Sequence, residues 1–225
     1  MKFVWVALLI IILGFAIGIY LYPSMPEVMA SHWNASGNVD GYMPKFWALF
    51  LMPIINLALL GLFYVIPKID PLKHNIKKFK GYYERFVLLV MGFLLYLYLV
   101  ATSWSLGARF NFIFVLMPAL AVLFFYVGVL LEKTKRNWFI GIRTPWTMSS
   151  DKVWKKTHDI GGKLFKIYAV LLLLSLLLPN TDYVFIFVII VPIIVIVIAL
   201  FAYSYYEYKK IAKNKRKRKS KNKRR

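Results

Sequence analysis

The sequence predicts an all-α fold: a polytopic membrane bundle of about six transmembrane helices with both termini cytoplasmic. Three observations carry this expectation. The chain is 60% hydrophobic and only 17% charged over 225 residues, too apolar for a soluble domain of that size. Its apolar residues fall into runs close to the roughly 20 residues that a helix needs to cross the hydrocarbon core. Its basic residues collect in alternate connections, the pattern of a multi-pass cell-membrane protein.

The runs are, in order, Phe3–Tyr22, Phe46–Ile66, Phe86–Leu106, Asn111–Leu131, Leu164–Leu178 and Tyr183–Tyr203. Backbone groups in lipid must bond within their own segment, so each run is expected to be helical. None shows the alternation of barrel strands. The fifth is short, and Lys163 and Lys166 can snorkel to extend it. The first is longer than a usual signal-peptide core and is read as a retained span. Trp5, Tyr22, Trp47, Tyr64, Trp104, Trp138 and Tyr183 fall near span ends as an aromatic belt.

Orientation follows from Lys and Arg. Loop 67–85 carries Lys68, Lys73, Lys77, Lys78, Lys80 and Arg85, loop 132–163 carries eight basic residues, and twelve more follow Tyr208. The remaining connections hold only Lys45 and Arg109. Three segments result: a helix–outer loop–helix unit at 1–66, a second membrane unit at 67–206, and a disordered polybasic cytoplasmic tail at 207–225. In the tail, Lys215, Arg216, Lys217, Arg218 and Lys219 are expected to bind anionic lipid. A net charge of +21 raises nucleic acid as a partner, but blocks of charge between uncharged spans point to the bilayer instead.

In the outer loop, Ser24, Pro26 and Glu27 suit the first turn of a short helix through Asn34. Ala35 to Tyr42 then reads as turns, rich in glycine and Asn/Asp. His32 and Asp40 are read as bonding each other or the loop backbone. No metal site is expected, since zinc needs three or four ligands and this face offers one histidine. Asn34-Ala35-Ser36 matches a glycosylation sequon.

The other unusual connection is Asn137-Trp138-Phe139-Ile140-Gly141-Ile142-Arg143-Thr144-Pro145-Trp146. A plain connector would be short and polar. Phe139 to Ile142 are expected to dip into the interface. Ser149 or Ser150 then caps a helix whose face of Val153, Trp154, Thr157, Ile160 and Leu164 lies on the inner leaflet and runs into the fifth span. Arg143 either pairs with lipid phosphate or a helix carboxyl end, or holds a partner through its planar fork.

The sequence contains no cysteine, which excludes disulfides, thiolate nucleophiles and Cys-based metal sites. No catalytic set converges, so neither an enzyme nor a cofactor is expected. Few spans carry ionisable groups, which argues against a coupled transporter.

His32, Asn34, Gly37, Asp40, Gly41 and Lys45 resemble the H-x-N-x-x-G-x-x-D-G loop of a small domain of unknown function. Asn137, Gly141-Ile142-Arg143-Thr144-Pro145 and Trp154 are similar to the signature of the SdpI immunity family, in which both motifs occur in this order. The resemblance implies immunity to, or sensing of, a secreted membrane-active peptide toxin. It also implies a cytoplasmic transcriptional repressor as a partner. A small-molecule or ion permease and a structural membrane protein are the alternatives.

Overall fold

A computed structural model of the chain describes residues 2–178 and 185–222. The turn expected near 179–182, and Tyr183, lie outside the described residues. Helix α1 (Lys2–Leu21) leads to an antiparallel hairpin of β1 (Val28–Trp33) and β2 (Val39–Pro44). Then come α2 (Lys45–Ile69), the short α3 (Lys73–Lys77), α4 (Lys80–Ser105), α5 (Phe112–Lys133), the short α6 (Pro145–Ser149) and α7 (Asp151–Leu174). A π-helical turn (Phe185–Ile190) runs into α8 (Val191–Asn222). Among the described residues, six helices are long and apolar enough to cross a membrane.

The helices form two groups of three. Helices α1, α2 and α4 share a core built on Ala7, Ile11, Leu60, Tyr83, Val87 and Met91. Helices α5, α7 and α8 share another, built on Met117, Ala121, Tyr168, Leu172, Ile196 and Leu200. Helix α4 also packs on α5 and joins the groups.

Lipid tails are as apolar as leucine, so burial alone does not drive such helices together; close packing and polar contacts do. The α5–α7 crossing shows both. A Cβ on Gly128 would lie 2.6 Å from the Gly162 carbonyl oxygen, and one on Gly162 would lie 2.5 Å from Glu132 Cγ. Each glycine leaves room for a long stem from the facing helix. Those stems end in an ion pair, Lys166 Nζ to Glu132 Oε2 at 2.7 Å. Asn56 Nδ2 reaches the Met91 carbonyl at 3.4 Å and ties α2 to α4. Thr102 bonds back to Tyr98 within α4, and Ser175, just past the end of α7, bonds back to Leu172 instead.

Three expectations change. The outer loop is a hairpin, not a helix: Ser24 donates to the Leu21 carbonyl in a 3-10 turn, and Val28 begins a strand paired with Pro44. The fifth span starts at Asp151, because Val153, Trp154, Thr157 and His158 are buried by protein and the segment is continuous with the span. The tail from 207 continues α8 as helix to Asn222, since lysine and arginine are good helix formers once a helix is nucleated. The side chains of 215–221, including Lys215, Arg216, Lys217, Arg218 and Lys219, lie outside the described residues.

Candidate functional site

The two motifs occupy opposite ends of the bundle. At the hairpin end, Trp33 stacks on Phe112 with ring centroids 4.5 Å apart and meets Trp104 edge-on at 6.2 Å. This docks the hairpin on the α4–α5 connection. Asn34 closes the turn: its Oδ1 accepts from the amides of Ser36 (3.1 Å) and Asn38 (2.9 Å). Gly37 has φ +81°, and a Cβ there would fall 2.6 Å from Asn111 Oδ1, so a side chain is excluded on two counts.

His32 Nδ1 and Asp40 Oδ1 lie 2.5 Å apart across the hairpin, and both side chains are exposed. Gly41, opposite His32, lets the strands close at an irregular register, since a Cβ there would meet His32 Cβ at 2.8 Å. Lys45 opens α2; its Nζ lies 2.7 Å from Glu27 Oε1 and over the Tyr22 ring. The expectation that His32 and Asp40 bond each other is met. Among the described residues, no group of three or more His, Cys, Asp or Glu is placed to hold a metal ion.

At the other end the motif loop is built around Asn137, which is fully buried. Its Nδ2 donates to the carbonyls of Lys135 and Ile140, both at 2.8 Å, and its Oδ1 accepts from the amides of Phe139 (3.0 Å) and Ile140 (2.6 Å). Every capacity of the amide is used. Gly141 follows with φ +114°, and a Cβ there would fall 2.4 Å from His158 Nε2. That nitrogen accepts from the Ile142 amide at 2.9 Å, while His158 Nδ1 lies 2.8 Å from the Trp154 carbonyl. One nitrogen accepting and the other donating defines the neutral imidazole.

Thr144 and Thr147 form a reciprocal capping box for α6, with Pro145 at its first position. The Thr144 hydroxyl also contacts Ser204 Oγ at 3.0 Å, pinning the loop to α8. Trp154 Nε1 donates to the Thr134 carbonyl at 3.2 Å, and its ring stacks on His158. Arg143 is exposed, and its Nη1 donates to the Trp138 carbonyl. Ile140 packs into the core of α1, α2 and α4, while Ile142, two residues on, packs into that of α5, α7 and α8. Of the segment expected to dip into the interface, Phe139 to Ile142, only Phe139 is exposed.

Reading the sequence missed several residues that hold this loop. Buried Asp70 accepts from the Leu72 amide (2.6 Å) and the Trp138 amide (2.8 Å), linking the α2–α3 turn to the motif loop. Asn75 Nδ2 donates to the Arg136 carbonyl at 2.8 Å. Arg136 donates to the Met148 carbonyl and forms an ion pair with Asp151 at 2.9 Å. His158 was legible in principle, because it lies one turn after Trp154 on the same helical face.

Six apolar helices, a docked hairpin at one end and a bonded loop at the other define a multi-pass cell-membrane protein. Residues 133–204 match the model of the SdpI/YfhL protein family, and residues 9–57 match that of a domain of unknown function, DUF1648. The chain is 26% identical over 163 residues to "Immunity protein SdpI" of Bacillus subtilis (strain 168), covering 72% of this chain and 75% of that relative. No solved structure matches the chain at a significant level. The resemblance carried by the two motifs therefore holds: the chain is a membrane protein similar to the immunity protein SdpI over most of its length.

Proposed function

We propose that the protein confers immunity to a membrane-active peptide toxin, with the hairpin outside and the motif loop and both termini in the cytoplasm. The observation that carries this is the similarity to an immunity protein over a stretch long enough to include both motifs. The hairpin offers a partner an exposed His32–Asp40 pair on a rigid aromatic base. The motif loop offers Arg143, exposed and without a carboxylate within 4.0 Å among the described residues. It is suited to an acidic group of a cytoplasmic regulator such as a transcriptional repressor.

The two faces lie at opposite ends, so any signal between them passes through the helices. The path from hairpin to motif loop is short in elements: Trp33 rests on α5, and α5 leads to the loop. The test is survival of a toxin-sensitive bacterium expressing wild type, His32→Ala or Arg143→Ala at matched membrane abundance. Protection by wild type that His32→Ala abolishes supports toxin engagement at the hairpin. Arg143→Ala that protects but no longer signals separates the regulator surface from immunity. Absence of protection by inserted wild type against a panel of such toxins would sink the reading and favour a permease or a structural role.

A further inference from the structure

A charged pocket that neither motif uses lies among α1, α2, α3 and α4, at the motif-loop end of the bundle. It encloses about 280 Å³ above an apolar floor of Phe3, Phe63, Pro67, Ile76 and Tyr83. Its charged lining is Lys68, Lys73, Lys77 and Lys80, with one carboxylate, Glu84. Lys80 is offset by Glu84, 3.6 Å away. Among the described residues, no carboxylate lies within 4.0 Å of Lys68, Lys73 or Lys77. Lys68 Nζ instead sits 3.5 Å from the centre of the Tyr64 ring. Lys73 and Lys77, one turn apart on α3, share a helical face. Three unopposed ammonium groups on one rim favour an anion between them.

The pocket does not end at the charges. Val4 and Tyr64 also border a second cavity of about 420 Å³ farther along α1 and α2, walled by Leu8, Leu57, Leu60 and Gly61. A Cβ on Gly61 would meet nothing within 4 Å, so the furrow is open at that point. A free phosphate would use only the charged half. An acidic soluble peptide would leave the furrow empty. A lipid fills both.

We propose that this is a binding site for an anionic phospholipid. The phosphodiester lies among Lys68, Lys73 and Lys77, and an acyl chain follows the α1–α2 furrow past Gly61. The site is separate from the polybasic end of α8.

The test is native mass spectrometry of the full-length protein in neutral detergent, titrated with dioleoyl phosphatidylglycerol. The expected result is a saturable first adduct at least tenfold tighter than that of dioleoyl phosphatidylcholine. A surface lysine contributes about fivefold, so Lys68→Gln/Lys73→Gln/Lys77→Gln weakens that adduct at least tenfold. Lys209→Gln/Lys210→Gln/Lys213→Gln, on α8, leaves it unchanged. Gly61→Leu fills the furrow without touching a lysine and weakens the adduct several-fold. Unchanged binding by the first triple variant or by Gly61→Leu overturns the proposal. So does equal binding of phosphatidylcholine, or loss of the adduct in the α8 variant. Displacement by an equal concentration of inorganic phosphate would make it an ion site and overturn the lipid assignment.

Discussion

Replacing Gly141 with alanine tests the motif loop at its tightest point. Two penalties follow from the geometry. At φ +114° an L-residue is strained by about 1–2 kcal/mol. The new methyl also falls 2.4 Å from His158 Nε2. Either the loop or the imidazole must move, and the Ile142 amide then loses its acceptor. An unsatisfied buried donor costs about 1–3 kcal/mol. The sum, about 2–5 kcal/mol, is a large share of the 5–15 kcal/mol that typically holds a folded domain. The assay is thermal unfolding of detergent-purified protein, followed by tryptophan fluorescence, for Gly141→Ala, His158→Ala and the double variant. His158→Ala opens the space the methyl needs, so the double variant should lose less than the sum of the singles by at least 1 kcal/mol. Additive losses, or a neutral Gly141→Ala, would refute the claim that His158 sets the requirement for glycine.

Three further outcomes follow. Asn137→Asp replaces two donors by a carboxylate facing the carbonyls of Lys135 and Ile140; it should destabilise by about 2 kcal/mol or more and raise deuterium exchange in residues 135–142. Glu132→Gln or Lys166→Met alone should lower the unfolding midpoint more than Glu132→Leu/Lys166→Met together, because a single change strands one charge of a half-buried pair. Trp33→Ala removes the stack on Phe112; it should loosen the hairpin by about 1–3 kcal/mol and expose residues 34–38 to limited proteolysis, with the six helices retained by circular dichroism.

The spans were legible because each is a contiguous property: twenty apolar residues decide the matter without knowledge of any partner. The hairpin was not. Ser24, Pro26 and Glu27 are good local helix starters, but Val28 gains a strand partner in Pro44, sixteen residues away, which no local pattern reveals. The motif residues could be picked out, yet their work could not. Gly141 needs a missing side chain because of an imidazole from another element. Asp70, in a connection between different spans, holds the loop through Trp138. The face of Val153, Trp154 and Thr157 was recognised as apolar, but protein covers it, and only tertiary packing separates that case from a helix resting on lipid.

The placement of Ile140 and Ile142 in separate cores bears on how this protein can vary in length. Most connections between spans absorb extra residues easily, since closing a longer loop adds little entropy. Here, lengthening the stretch between those two side chains by one residue would pull one anchor out of its seat. The stretch from Thr134 to Ser150 should therefore behave in insertion scanning like the middle of a helix. A short epitope tag inserted there should abolish accumulation in the membrane, whereas the same tag in the α4–α5 connection beside Gly107, where a Cβ would meet nothing within 4 Å, should not.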